Sequence, residues 1–428
     1  MALGGGSFTV QNKVLPGAYI NFVSLAAASA TLSDRGIATM PLELDWGVEG
    51  EVFEVTNADF QKESMKIFGY DYAHEKLKGL RDLFKNIQTL YAYRLNGGGT
   101  KASNTYATAK FGGVRGNDIK IVIQANVDDT SLFDVKTYVG TIVVDSQTVK
   151  DASELVANDF VTFNAEASLS AIAGVALEGG TNATVDGTAH QTYLDKIESY
   201  SFNAIGVVTT DDTIKSLYIN FCKRMRDEIG VKFQAVVYNA NKPDFEGVVN
   251  VKNGVDLVYW VTGIIAGCAI NKSNTNKLYD GEFVVDVNYT QTQLATAIKN
   301  GEFTLHKVGS DVRVLEDINS LVTTTEEKGE VFKDNQTIRV IDQKANDIAV
   351  LFNTKYLGVV PNDAAGRISL WSDVVKQCEL MQSIRAIENF SDEDVSVEKG
   401  ESKKSVVIND AIEPIGTMTK LYMTTVIR

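Results

Sequence analysis

Ala204-Ile205-Gly206-Val207-Val208-Thr209 is a short apolar run, and its surroundings decide the fold. The run itself reads as a strand. Ahead of it, Asp186–Tyr200 sets Tyr193, Leu194 and Ile197 on one helical face. Behind it, Asp211 or Asp212 is a suitable helix cap, and Ile214, Leu217, Tyr218, Phe221 and Met225 recur at helical spacing. Phe233–Tyr238 then reads as a strand and Val258–Ala269 as an apolar helix. Helix and strand in alternation predict an α/β layer with at least partly parallel strands.

Further out, the pattern changes twice. Toward the N-terminus, Ala18–Val23 and Arg35–Pro41 read as strands, and Ala58–Phe68 as a helix capped by Thr56 or Asn57. A second helix is expected over Tyr72–Leu90, with Leu77, Leu80, Phe84 and Ile87 on one face, followed by a strand at Tyr91–Leu95. Between Asn96–Gly99 and Gly179–Asn182 the chain is β-rich, with strands expected at Ile119–Ile123, Phe133–Val139, Thr141–Val144 and Val161–Phe163. This segment reads as a small insertion between two glycine-rich hinges, dispensable to the rest. Toward the C-terminus come a helix at Gln291–Asn300, a strand pair at Phe303–Lys307 and Val312–Glu316, and two long helices, Gln336–Tyr356 and one from Asn362 to Phe390. Strands at Asp394–Glu398 and Lys403–Ile408 follow, then Pro414 and a last run, Met418–Ile427, that reads as alternating. The fold class expected is a multidomain α+β and α/β chain: a mixed-sheet core with flanking helices, a β-rich inserted domain, and extended arms at both ends.

The chain has 428 residues, 44% hydrophobic and 22% charged, ordinary for a folded protein. Its formal net charge of −14 argues against a general nucleic-acid binder, which needs basic surface. Val255–Ile270 is interrupted by Asp256 and glycines and falls short of the roughly 20 residues of a membrane span. Met1-Ala-Leu-Gly-Gly-Gly-Ser has neither the basic nor the apolar region of a signal peptide, which points to synthesis in the cytoplasm. Cys222, Cys268 and Cys378 are far apart in apolar segments and read as buried reduced thiols.

Catalytic chemistry is hard to find. His74, His190 and His306 are scattered, metal-ligand spacing is absent, and no GxSxG, Walker A, HExxH or CxxC occurs. Phe111-Gly112-Gly113-Val114-Arg115-Gly116-Asn117-Asp118 looks like a phosphate loop but departs from GxGxxG and leads into a strand, so no helix N-terminus receives a phosphate. It reads as a tight turn. No cofactor is expected, and no enzyme.

Pro16-Gly17-Ala18-Tyr19-Ile20-Asn21-Phe22, continuing through Ser33–Leu42 and Leu44-Asp45-Trp46-Gly47, closely resembles the start of tail sheath proteins of contractile phages, nearest to those of Gram-positive hosts and their R-type, tail-like bacteriocins. Phe111–Ile119, Ala204–Val208 and Leu421-Tyr422-Met423 resemble the same family. The resemblance covers essentially the whole chain. It implies a subunit that forms six-membered rings stacked on an inner tube, contracting to drive the tube through a cell envelope. A non-contractile polymer, a tail tube or surface-layer protein, is the alternative. The implied partners are neighbouring copies, the tail tube protein, the baseplate and the tail terminator, with no direct nucleic-acid binding and no membrane insertion. The implied location is a virion or bacteriocin particle assembled in the host cytoplasm.

The expected domains are an N-terminal arm (1–20), a first core part (21–99), the β-rich outer insertion (100–185), an α/β middle domain (186–330), a tube-facing C-terminal domain (331–413) and a C-terminal arm strand (414–428). In the family the arms pair with neighbours as added strands. Carried onto this chain, the pairing residues are Phe8, Val10, Val14, Tyr19, Met418, Leu421, Tyr422, Met423 and Val426, with hinges at Gly4, Gly5, Gly6, Pro16, Gly17, Pro414 and Gly416. The alternative is that both are edge strands of their own domain. Arg367, Lys376 and Arg385 are the expected tube contacts; on one continuous helix Arg367 and Arg385 would share a face about five turns apart, with Lys376 opposite.

Overall fold

The computed structural model describes residues 32–427. The N-terminal expectations, Phe8, Val10, Val14, Tyr19, Gly4, Gly5, Gly6, Pro16 and Gly17, lie outside the described residues.

The described residues divide into a larger unit, 34–342 with 416–427, and a smaller one, 32–33 with 343–415. The larger unit begins with β1 (Ile37–Leu42), β2 (Val52–Thr56), α1 (Asn57–Phe68), α2 (Lys78–Phe84) and β3 (Thr89–Arg94). The Thr56 hydroxyl accepts from the Asp59 amide while the Asp59 carboxylate accepts from the Thr56 amide, so α1 starts on a closed capping box. The helix expected over Tyr72–Leu90 is cut short. Its apolar spacing is real, since Leu77, Leu80, Leu83 and Phe84 are buried, but Thr89–Arg94 is taken by the sheet, pairing with β1 on one side and β2 on the other.

An insertion follows: β4 (Ala107–Ala109), β5 (Ile119–Ala125), β6 (Phe133–Val139), β7 (Ile142–Val149), β8 (Val161–Phe163) and β9 (Ile172–Ala176). It forms an antiparallel sheet of order β7-β6-β5-β9, with β4 and β8 paired separately. Its core holds Ile119, Ile121, Ile123, Val135 and Phe160 together with Trp46, which lies outside the insertion in sequence. The indole is fully buried, stacked on Phe160 at 5.9 Å and edge-on to Phe111 at 5.3 Å. The Phe111–Asp118 stretch is a tight one-turn segment running into β5, as expected.

The larger unit resumes with α3 (Gly187–Ile197), β10 (Ala204–Gly206), α4 (Asp212–Arg224), β11 (Gln234–Tyr238), β12 (Val248–Val251), α5 (Leu257–Gly267), α6 (Gln291–Lys299), β13 (Glu302–Phe303), β14 (Leu305–Val308) and β15 (Asp311–Val314). Among the described residues seven strands form one sheet of order β13-β12-β11-β10-β1-β3-β2, parallel except for the antiparallel edge β2. Alternate residues of each strand feed opposite cores, as the two-residue period requires. Ala204, Val236 and Val249 pack with α2 and α5 on one face, and Ile205, Ala235, Val237 and Val248 with α3 and α4 on the other. Helices on both faces explain why these strands are continuous apolar runs. Pro41 is accommodated because pairing of β1 with β10 ends at Thr39.

α7 (Asn335–Leu351) begins in the larger unit, and its first turns are fixed there by polar groups. Arg226 makes a two-pronged pair with Asp342 at 2.6 and 2.8 Å, both side chains nearly sealed from solvent. Arg339, 1% exposed, donates to Asp317 at 2.7 Å and to the Lys272 carbonyl at 2.8 Å.

The smaller unit holds the rest of α7, then α8 (Ala364–Ser383), β16 (Ile387–Glu388), β17 (Val395–Lys399), β18 (Val406–Asp410) and β19 (Glu413–Pro414). Leu351, Leu370, Val374 and Val395 form its core. Within it, Ser33 donates its hydroxyl to Asp347 at 2.5 Å.

Candidate assembly site

The C-terminal run is the candidate site, and in sequence it follows directly on the smaller unit. The Asp363 carboxylate accepts from the Gly366 amide at 2.8 Å and so starts α8. Leu370, Val374, Cys378 and Met381 face inward, and Trp371 donates its indole N–H to the Val395 carbonyl at 2.9 Å. The helix stops at Ser383. The amide of Ala386 turns back to the Met381 carbonyl, and β16 pairs antiparallel with β19. A hairpin, β17 with β18, lies between them in sequence. The Ile415 amide then donates to the Ala386 carbonyl at 3.0 Å.

This geometry corrects the expected hinge at Pro414. Pro414 pairs with Ile387 in the β16–β19 bridge, so it is an anchor. It suits that place because a short edge strand tolerates a missing N–H. Gly416 is the open position: a Cβ there would meet nothing within 4 Å.

Beyond it the Thr417 amide donates to the Gln336 side chain at 3.2 Å, within the larger unit. Thr417, Met418 and Thr419 line a cleft of about 430 Å³ whose far wall includes Ser273, Thr275 and His306. Burial holds the His306 imidazole below its ordinary pKa.

From Met418 to Ile427 the chain joins no ladder with other described residues. Met418, Leu421, Tyr422, Met423, Val426 and Ile427 are between 79% and 103% exposed. The alternation is also less simple than expected. As an extended strand, the run would carry Met418, Tyr422 and Val426 on one face and Leu421, Met423 and Ile427 on the other. The expected pairing residues Met418, Tyr422 and Val426 fall on the first face and Leu421 and Met423 on the second, to which Ile427 adds.

The three expected tube contacts do not share one helix. The Arg367 guanidinium is tied to the carbonyl and side chain of Asn362, both at 3.1 Å. Lys376 is exposed on α8. Arg385 lies past the helix end in left-handed backbone, φ 62°, so the expected common face with Arg367 is absent.

The histidines stay apart. His74 caps a single turn by accepting from the Lys76 amide, His190 contacts the Tyr218 hydroxyl at 2.9 Å on α3, and His306 sits on β14. Among the described residues no group of three or more His, Cys, Asp or Glu is placed to hold a metal ion, and no helix is long and apolar enough to cross a membrane.

Four family descriptions tile the chain. Tail sheath protein Gp18 domain III N-terminal region matches residues 35–95, and Phage tail sheath protein beta-sandwich domain matches 97–182. Phage tail sheath protein central domain matches 183–320, and Phage tail sheath C-terminal domain matches 327–428. A crystal structure of a sheath tail protein from Desulfitobacterium hafniense is 36% identical, with a TM-score of 0.83 over 95% of this chain and 99% of that one.

The chain belongs to the phage tail sheath protein family.

The phage-like element PBSX protein XkdK of Bacillus subtilis is 33% identical over 98% of this sheath protein and 99% of its own length. The anti-feeding prophage helical sheath in its contracted state, 12% identical, shares the fold with a TM-score of 0.56 over 96% of this chain and 99% of that one. This sheath protein is therefore a structural subunit of a tail sheath.

Proposed function

We propose that copies of this chain polymerise as stacked six-fold rings around an inner tube, and that contraction of the polymer drives the tube through the target envelope. Each copy hands residues 417–427 to a neighbouring copy as an added strand. The observation that carries this reading is the run itself: six large apolar side chains outside any ladder, uncovered by other described residues and following an unobstructed glycine.

An added strand satisfies its backbone on the receiving sheet and buries its side chains there. At roughly 0.5–1.5 kcal/mol net per hydrogen bond, about ten residues make a firm link even after the cost of ordering them. Apolar groups on both faces fit a strand that is covered from both sides once received. The N-terminal arm, with Phe8, Val10, Val14 and Tyr19, is assigned the matching role toward a second neighbour. The smaller unit is assigned to the tube side, where Lys376 is the α8 cation left open to an acidic partner. The tube protein, baseplate and tail terminator are the other partners, and assembly takes place in the host cytoplasm.

The test is a chain ending at Ile415. It should stay folded and monomeric while the full chain forms wide hollow cylinders in micrographs. Cylinders of ordinary width from the shortened chain would refute strand donation.

A further inference from the structure

The chain enters and leaves the insertion through glycine-rich segments, Asn96–Gly99 and Gly179–Asn182, which on composition alone read as hinges. Their glycines have another cause. A Cβ on Gly99 would lie 1.8 Å from the Thr181 carbonyl oxygen, and one on Gly180 would lie 2.5 Å from that of Gly113. The two crossings and the Phe111–Asp118 turn are stacked backbone on backbone, an approach that only glycine allows.

The stacked segments are also bonded to each other. Thr181 donates its amide to the Thr100 carbonyl at 3.1 Å, and Gly113 donates to the same carbonyl at 3.2 Å. The Ala183 amide donates to the Asn96 carbonyl at 3.1 Å. Asn117 closes a reciprocal pair with the backbone of Gly180 at 2.8 and 2.9 Å.

Through the middle runs Arg94, the last residue of β3, 1% exposed. Its guanidinium donates to the Gly112 carbonyl at 2.8 Å, the Gly47 carbonyl at 3.2 Å, and the side chains of Asn96 and Asn182 at 3.3 and 3.4 Å. Asn182 in turn donates to Asp45 at 2.9 Å, and the Asp45 carboxylate also takes the Tyr70 hydroxyl and the Lys76 ammonium. A buried guanidinium satisfied by carbonyls and amides from both sides of the crossing resists any change of angle, because each rotation strands a donor away from water.

We propose that the insertion and the mixed sheet form one rigid body pinned by Arg94, so that a load on the insertion passes directly to the sheet. A hinge would leave its backbone groups free to exchange partners with water; here they are committed to each other across the junction.

Hydrogen exchange on the full-length subunit tests this. The amides of Gly113, Thr181 and Ala183 should be protected to within about tenfold of the Ile121 amide in β5. Limited proteolysis should not cut at 96–100 or 179–183. Unprotected junction amides, or release of an intact insertion by cuts at both places, would overturn the proposal. Arg94→Met should then raise exchange at those three amides by at least about tenfold while Ile121 and Val236 are unchanged. If that variant fails to fold, Asn182→Ala, which removes one donor and one acceptor of the same network, should give the same local pattern. Unchanged junction exchange in the folded variant would refute the role given to the pin.

Discussion

Replacing Arg226 by Met should show how α7 is held. Arg226 and Asp342 are 3% and 6% exposed and meet through two hydrogen bonds, and Arg226 also donates to the Phe233 carbonyl at 2.8 Å. Arg226→Met takes the two-pronged cation from a buried carboxylate, leaving it the coulombic pull of Lys232, and takes a short donor from the Phe233 carbonyl, a loss of about 3–5 kcal/mol. Asp342→Leu leaves the guanidinium uncompensated and should cost toward the lower end of that range, because buried Glu246 still favours the cation. The double variant removes both charges and should cost no more than about 1 kcal/mol, since an apolar pair of similar volume fills the site. Coupling between the two sites should therefore exceed about 3 kcal/mol, far from additivity. The chain has three tryptophans; Trp46 and Trp260 lie in the larger unit and Trp371 in the smaller, so urea unfolding followed by fluorescence in a Trp371→Phe background reports the larger unit. Single variants costing under about 1 kcal/mol, or costs that simply add in the double variant, would refute the buried pair as the fastening.

Three further outcomes are expected. Burial raises the Asp45 pKa, but hydrogen bonds from Lys76, Tyr70 and Asn182 outweigh it and leave the folded value below the ordinary 3.8. The stability it contributes is thus complete above that value and is lost as pH falls through the lower folded one, so Asp45→Asn should flatten the fall of the urea midpoint on the acid side of 3.8. Gly267→Ala would set a Cβ 1.8 Å from the Asn86 carbonyl oxygen where α5 crosses the end of α2, and should cost about 1–3 kcal/mol by thermal melting. Tyr422→Asp, at a residue 89% exposed, should leave the melting of the monomer within about 0.5 kcal/mol of the parent and abolish fast-sedimenting polymer; polymer at the parent level would count against strand donation.

How much was legible before any coordinates follows from which patterns are local. Strands buried on both faces announced themselves: Ala204–Gly206 and Gln234–Tyr238 lie inside the runs read as strands. Helix starts were legible because the cap is a side chain with a fixed reach, as at Thr56 and Asp211. Helix ends were not. Apolar spacing carried the reading on to Leu90 and Phe390, whereas pairing with β1, distant in sequence, claims Thr89–Arg94, and α8 ends at Ser383 with left-handed backbone at Arg385 just beyond. Val248–Val251 was missed as a strand because it is short and carries Asn250, whose side chain is satisfied by both backbone groups of Ala240. At the candidate site Pro414 and Gly416 both read as hinges, whereas Pro414 sits in a strand pair and only Gly416 is open. Whether a proline is a break or a bridge depends on what lies opposite, and Ile387 stands far from Pro414 in sequence.

Donation of the run beyond Gly416 would have a consequence for size control. A segment given by one copy and taken by the next joins two different surfaces, and such head-to-tail contacts either close into a ring or continue without limit. Under strand donation between rings, every added layer presents the same unfilled receiving edge as the one before. Nothing in the bond itself counts layers. The length of the cylinder is then dictated by a ruler, the tube it wraps, or by a cap that fills the last receiving edge, and a pool of subunits deprived of both should grow cylinders of scattered length at constant width.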